Sequence, residues 1–329
     1  MRIQVPKSFD LNIKNSESVG RIAAAARNGG VEAALMIPKH KPIYDKLHLA
    51  YNLKRANEEN FNLFVAIEGI HENRLSEISV LKSKGASAIY INSDEDMNLI
   101  KRIFEYGEFL NIPIFVNCNN KSLSSGVMND SEVAYLLGVS GIPNYAESIE
   151  VAKIYELSKH FNTKVVFQSI TTKESLEILK NKPSNIFIDI CIDNLYFTDE
   201  NLKEFNTLYK TFPPLRSKED KEALLKACQE ELIDFISSNH IATNQKDIPF
   251  EEAEFGISKL DIFTQLAYSL PIDHKIITKL ISTNPAKLFG YKIKEKITLE
   301  FKEEEEINPQ NFASKGKNCP YKKVKVKIV

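Results

Sequence analysis

The chain has 329 residues, 43% of them hydrophobic, and its 43 lysine and arginine residues almost balance its 44 aspartate and glutamate residues. This length and apolar share can supply the core of one full-sized α/β domain or of two smaller domains. Because the net charge is close to zero, nucleic acid and anionic membranes are disfavoured as partners.

Cysteine spacing and the N-terminal sequence both indicate a cytoplasmic protein. The four cysteines form no Cys-x-x-Cys pair, which is typical of reduced thiols rather than of a disulfide framework. Residues 1–15 lack the apolar centre of a secretion signal, and no stretch approaches the roughly 20 apolar residues that a membrane-spanning helix needs. We therefore expect no membrane association.

Eight short runs rich in apolar and β-branched residues predict eight strands. They occupy 8–14, 31–38, 62–70, 87–92, 113–118, 164–169, 185–191 and 233–238. Amphipathic segments separate most of them, and such alternation predicts parallel strands joined by helices. Eight strand-helix units favour a TIM-type (β/α)8 barrel, with an open doubly wound sheet as the alternative. The absence of a glycine-rich phosphate motif after the first strand disfavours a nucleotide-binding sheet.

The last part of the chain predicts a smaller unit. We assign residues 1–293 to the barrel and 294–329 to a short C-terminal β appendage, because 297–301 and 323–329 alternate in polarity. The acidic run at 302–306 predicts a solvated surface loop.

Six segments occur in an order that resembles one known family. They are AAAARNGGVEAALMIP, the long stretch from GVMNDSEV to HFNTKV, FPPLRSKEDKEAL, IPFEEAEFGI, STNPAKLFG and SKGKNCPY. Together they are similar to the class I dihydroorotases of the amidohydrolase superfamily, over nearly the whole chain from Phe9 to Val329. The resemblance implies a β/α barrel with a zinc-type centre at the C-terminal strand ends, where a metal-bound hydroxide attacks a cyclic amide.

The family's metal ligands fall, in this chain, on residues that bind metals poorly. The matching positions are Asn12, Lys14, Asn92, Asn117, Ser169 and Asn239. Amides and a hydroxyl are weak ligands for zinc, and a lysine ammonium has no lone pair to give. Asn239 stands where the family has an aspartate that transfers a proton, a task that an amide cannot perform. We therefore expect no metal, no other cofactor and no catalytic residue.

The first predicted strand also suggests what fills the former metal site. Period-two alternation places Asp10, Asn12 and Lys14 towards the barrel interior, with the apolar residues between them packing outward against helices. These residues form either a satisfied polar cluster or, for Lys14 and Lys39, a pocket for a small anion. His240 is a tentative third member of that pocket, and a packed or capping histidine is its alternative role.

Three functions remain open. Resemblance to inactive dihydroorotase-like chains implies a non-catalytic subunit or scaffold in pyrimidine biosynthesis, associated with aspartate transcarbamoylase. The first alternative is an active cyclic-amide hydrolase with a non-standard site, using carboxylates such as Asp10, Glu68, Asp94 or Asp193. The second is a regulatory module that binds a small anion. We also expect a homo-oligomer, and we expect the N-terminal part of the family's small β domain to be missing.

Overall fold

A computed structural model describes residues 1–39, 41–243 and 246–329. Its strands are β1 (Arg2–Pro6), β2 (Ser8–Lys14), β3 (Val31–Ile37), β4 (Asn62–Glu68), β5 (Ile70–His71), β6 (Arg74–Leu75), β7 (Ala88–Asn92), β8 (Ile114–Asn117), β9 (Met128–Asn129), β10 (Gly141–Ile142), β11 (Val165–Gln168), β12 (Ile186–Cys191), β13 (Phe235–Ser237), β14 (Lys296–Glu306) and β15 (Lys323–Ile328).

The α-helices follow the strands around the molecule. They are α1 (Val19–Asn28), α2 (Lys46–Glu58), α3 (Ile78–Ser83), α4 (Met97–Leu110), α5 (Glu132–Leu137), α6 (Tyr145–Ser158), α7 (Lys173–Leu179), α8 (Asp193–Tyr196), α9 (Lys218–Gln229), α10 (Phe263–Tyr268), α11 (His274–Thr278) and α12 (Asn284–Leu288). A π-helical turn, Lys279–Thr283, joins the last two. No helix within the described ranges is long and apolar enough to cross a membrane.

Eight parallel strands form the barrel in the order β2, β3, β4, β7, β8, β11, β12, β13. Each predicted strand contains one of them, so the predicted TIM-type barrel is confirmed. The barrel closes just beyond β13, where the backbone N–H of His240 donates to the carbonyl of Asn12 at 3.2 Å and the N–H of Lys14 donates to the carbonyl of His240 at 3.1 Å. These two bonds join the last strand to the first.

The strands bury two apolar layers because side chains alternate between the faces of the barrel wall. Outward residues such as Val65, Ile89 and Ile188 pack against helices. Inward residues near the N-terminal strand ends form an aromatic and aliphatic plug, in which the Phe9 ring lies 4.9 Å from that of Phe64 and 5.5 Å from that of Phe289. The plug leaves the opposite end of the barrel interior for polar side chains.

A β-bulge in β2 corrects the predicted alternation of the first strand. Asp10 pairs with Ala34 and Ile13 with Met36, so two β2 residues stand opposite one residue of β3. Consequently Phe9 and Leu11 pack inside the barrel and not outward against helices. Asp10 lies at the closing seam, where its Oδ1 accepts the backbone N–H of Ser238 at 3.0 Å.

A three-stranded antiparallel sheet, β1-β14-β15, forms the appendage. The sequence analysis assigned only residues 294–329 to the appendage. In the structure, β1 (Arg2–Pro6) also belongs to its sheet, because it pairs with β14. The acidic run at 302–306 was predicted to be a loop but continues β14, because Lys323 and Lys327 of β15 bind Glu304 and Glu305. Cross-strand ion pairing therefore offsets the repulsion within the run.

A buried ion pair fixes the closing seam. The Lys259 ammonium donates to Asp193 Oδ2 at 2.6 Å and to the Ser238 carbonyl at 2.6 Å, and both charged side chains are fully buried. Asp193 Oδ1 accepts the Tyr321 hydroxyl at 2.7 Å. The pair thus ties the end of β13 to α8 and to the C-terminal segment.

Lys259→Met should destabilise the fold strongly, because it leaves the Asp193 charge buried without its partner. We expect a loss of about 3–5 kcal/mol in the free energy of unfolding, measured by urea denaturation. The double variant Lys259→Met/Asp193→Leu should recover most of that loss. Lys279→Met, which removes an exposed pair with Glu231, is the matched control and should cost at most about 1 kcal/mol. Equal losses for the two single variants would contradict the assignment.

Candidate functional site

A cavity of about 270 Å³ opens at the C-terminal ends of the barrel strands. Six strands contribute their last residue or the residue after it, and active sites of TIM barrels lie at this same end. The residues that line this strand-end cavity are Lys14, Pro38, Lys39, Glu68, Tyr90, Asn92, Asn117, Gln168, Ser169, Phe212, Pro213, Asn239 and Ile241.

Most of the residues singled out from the sequence meet at this cavity. Five of the six positions that match family ligands line it, and so does Lys39. Asn12, the sixth position, lies beneath and donates from Nδ2 to the Ser169 hydroxyl at 3.0 Å. The amides form a network in which Asn117 donates to Asn92 Oδ1 at 3.2 Å and Asn239 donates to the Phe212 carbonyl at 3.0 Å.

His240 lies outside the strand-end cavity, contrary to its tentative placement in an anion pocket. Its Nδ1 accepts the backbone N–H groups of Lys259 and Leu260, each at 3.1 Å. Nε2 is therefore the protonated nitrogen and donates to the Glu17 carboxylate at 2.9 Å, and both side chains are fully buried. With both ring nitrogens engaged, this histidine holds the seam together and has no nitrogen left for a ligand.

Lys14 ends β2 inside the cavity, with its ammonium 5.5 Å from the centre of the Tyr90 ring. Its Nζ has no hydrogen bond or ion pair with any residue that the structure describes. Burial, and next the charge of Lys39, lower the pKa of Lys14 to about 7. The amine is therefore divided between its charged and neutral forms near neutral pH.

Lys39 places a second positive charge at the mouth of the same cavity. Its Nζ lies 3.5 Å from the Phe255 carbonyl, at the limit of hydrogen bonding. Burial lowers the pKa of Lys39 to about 8, and the Glu254 carboxylate opposes that shift. The two lysines make the cavity attractive to an anion, which would relieve their mutual repulsion.

Two carboxyl groups lie under the cavity floor. Asp189 Oδ2 accepts the backbone N–H of Ser169 at 3.1 Å and the Ser237 hydroxyl at 3.0 Å, and burial raises the pKa of Asp189 to about 8. Burial also raises the pKa of Asp10. One oxygen of each carboxyl has no hydrogen-bond partner in the described part of the chain, which favours the protonated form of both.

The side chains of this site do not fit the zinc ion that the family resemblance implies. Zinc takes imidazole, thiolate or carboxylate donors in close groups. Within residues 1–39, 41–243 and 246–329, no group of three or more histidine, cysteine, aspartate or glutamate side chains could hold a metal ion. The cavity instead presents amides, the hydroxyls of Tyr90 and Ser169, two amines and the carboxylate of Glu68.

The carboxylates considered for a non-standard hydrolase are dispersed. Glu68 lines the cavity, and its carboxylate lies 3.1 Å from Nδ1 of His71. Burial raises the pKa of Glu68. Asp10, Asp94 and Asp193 do not line the cavity. A pair of carboxylates facing one another across the site is therefore not formed by these four residues.

Several lining residues escaped the sequence analysis. Tyr90 and Gln168 point inward because they share the alternation of Asn92 and of the plug residue Val166. That period could have identified both. Phe212 and Pro213 come from a loop, and no periodic signal places a loop residue over a cavity.

No family model matches the chain. A dihydroorotase of a Thermoanaerobacter species is 31% identical over 93% of this chain and 77% of its own length. The dihydroorotase of Caldanaerobacter subterraneus is 31% identical with the same coverage. Among solved structures, an L-hydantoinase from Arthrobacter aurescens has a TM-score of 0.87 at 15% identity, covering 100% of this chain and 83% of the hydantoinase. A Campylobacter jejuni dihydroorotase has a TM-score of 0.75 at 21% identity, with 99% and 97% covered. The structures show the shared fold, and the two sequence relatives show that the chain belongs to the dihydroorotase family.

Proposed function

We propose that this protein acts in pyrimidine biosynthesis as a non-catalytic member of the dihydroorotase family, and that its strand-end cavity binds a small carboxylate-bearing metabolite. The observation that carries the proposal is the lining of this cavity, which presents the amines of Lys14 and Lys39 together with neutral amides. A protonated amine binds an anion directly. It cannot be a ligand of a metal ion, because it has no free lone pair.

The dimensions and chemistry of the cavity support a small, mixed-polarity ligand. Its volume of about 270 Å³ lies below the roughly 300–1,000 Å³ typical of sites for drug-sized molecules. Amide side chains can both donate and accept hydrogen bonds. Carbamoyl aspartate and dihydroorotate combine carboxylate with amide or ureide groups, so they are suitable ligands to test.

An active cyclic-amide hydrolase is the second candidate. It is favoured by the relatives named dihydroorotase, which match 93% of this chain, and by Glu68, a carboxylate that faces the cavity. Because burial raises the pKa of Glu68, this carboxylate accepts a proton more readily than an exposed glutamate does, as a general base requires. This candidate requires hydrolysis that depends on Glu68.

Metal content and hydrolysis separate the two candidates. We expect protein purified without chelators to contain far less than one zinc per chain by inductively coupled plasma mass spectrometry. We also expect no dihydroorotate hydrolysis above background with added zinc. About one metal per chain with turnover that Glu68→Gln abolishes would overturn the non-catalytic proposal. Glu72→Gln, an exposed neighbour, is the matched control.

Anion binding should stabilise the fold and depend on pH. A ligand at about 100 times its Kd adds about 2.7 kcal/mol of stability, detectable as a rise in Tm. Lys39→Met should weaken binding about tenfold or more, because charge-assisted hydrogen bonds contribute about 1.5–3 kcal/mol. Binding uses the protonated lysines, so affinity should fall as pH rises through about 7 to about 8, the pKa values of Lys14 and Lys39.

The control variant is Lys164→Met, since Lys164 lines a separate cavity at the other end of the barrel, beside Phe187 and Leu288. It should bind the anion as the unmodified chain does. Affinity that is unchanged between pH 6 and pH 9, or equally reduced in both variants, would contradict the assignment of the binding site.

We propose aspartate transcarbamoylase as the partner of this protein, on the basis of the family resemblance. We expect immobilised chain to retain aspartate transcarbamoylase of the same organism in a pull-down and to co-elute with it in gel filtration. The cavity variant Lys39→Met should associate normally if the outer barrel surface makes the contact. Independent elution of the two purified proteins at micromolar concentration would refute the partnership.

A further inference from the structure

The amine of Lys14 differs from those of the other buried lysines. The amines of Lys210, Lys246 and Lys259 each donate to backbone carbonyl oxygens at 2.6–2.9 Å, and Lys259 also binds a carboxylate. Lys14 has no such partner among the described residues, and it faces the strand-end cavity. A partly buried amine that is left unbound beside an open cavity is available to a ligand.

We propose that Lys14 is a nucleophile that forms an imine with a small aldehyde or ketone carrying a carboxylate, such as a 2-oxo acid or an aldehyde acid. The inference rests on the proposed binding of carboxylates in the same cavity, because Lys39 would hold the carboxylate while Lys14 meets the carbonyl carbon. Lysine amines in apolar or cationic surroundings are the usual source of such imines in proteins.

The bond changes balance without an oxidant or reductant. The lone pair of Lys14 Nζ attacks the carbonyl carbon, and one of the two nitrogen-bound protons passes to the carbonyl oxygen to give a carbinolamine. The carbon–oxygen bond then breaks, the hydroxyl group leaves as water with the second nitrogen-bound proton, and a carbon–nitrogen double bond remains. Hydrolysis returns the amine and the carbonyl compound by the same steps in reverse.

The surroundings of Lys14 favour the neutral amine that this attack requires. An exposed lysine has a pKa near 10.4, so with a pKa of about 7 the neutral fraction of Lys14 at pH 7 is roughly a thousandfold larger. Three charged or titratable groups, Asp10, Asp189 and Cys191, act in the opposite direction and raise the pKa of Lys14, but burial and the charge of Lys39 outweigh them.

Reductive trapping tests the proposal on the full chain. The protein is incubated with glyoxylate and sodium cyanoborohydride, which converts an imine into a stable secondary amine, and the adduct is located by intact-mass and peptide mass spectrometry. We expect one preferred adduct per chain on Lys14. Lys14→Arg keeps the positive charge but cannot form the imine, so it should lose that adduct, whereas Lys164→Arg should retain it. Thermal melts verify that both variants are folded.

Two comparisons exclude indiscriminate lysine labelling. The rate of Lys14 labelling should rise with pH and level off above about 7, whereas labelling of exposed lysines should still increase at pH 9. At pH 8, where much of Lys39 is still protonated, Lys39→Met should slow labelling by glyoxylate more than labelling by glycolaldehyde, its neutral counterpart. If labelling is spread over exposed lysines and is unchanged in folded Lys14→Arg, the assignment of Lys14 as the nucleophile is wrong.

Failure of this inference is distinguishable from failure of the proposed function. Carboxylates that raise the Tm while Lys14 remains unlabelled would overturn the nucleophile and leave anion binding intact. Labelling of Lys14 that is equal for glyoxylate and glycolaldehyde would contradict the role of Lys39 and with it the carboxylate specificity.

Discussion

The buried pair of Lys259 and Asp193 sits where the barrel closes, and much of the site depends on it. Removing two charges from water costs several kcal/mol for each ion, and their attraction offsets that cost only with good geometry and further hydrogen bonds. Both conditions hold here, since the ammonium also binds the Ser238 carbonyl and the carboxylate also accepts the Tyr321 hydroxyl. The ion pair thereby fixes the backbone after β13, which carries Asn239 into the cavity.

The same seam explains why the first strand departs from regular alternation. Oδ1 of Asp10 accepts the N–H groups of Asn12 and Ser238, so this carboxyl lies at the seam, beside the end of β13. The bulge places Leu11 in the apolar plug and returns Lys14 to the interior. Pattern reasoning located all eight strands because each is a local run of buried apolar residues. The bulge depends on pairing with distant residues, which no local pattern contains.

As with the fold, the sequence predicts the strand-end residues of the site but not the contacts between distant residues. Residues at strand ends, such as Lys14, Asn92 and Asn117, meet at the cavity because parallel strands in a barrel all end at one face. His240 was misplaced, since its partners are Glu17 and the backbone near Lys259, which adjoin it only after folding. The direction of one ring is decided by such long-range hydrogen bonds, whereas the position of a strand end is decided by topology.

The lysine that ends β2 determines the electrostatics of the cavity floor. A unit charge 4 Å from another contributes about 4 kcal/mol at an effective dielectric constant of 20, and about twice that against a dication. A protonated Lys14 therefore opposes a metal ion, and burial raises the pKa of Asp10 and raises that of Asp189 to about 8. Burial in turn weakens the charge on Lys14 itself. The ammonium form attracts an anion and the amine form attacks a carbonyl, so the two properties proposed for this cavity belong to opposite protonation states of one nitrogen.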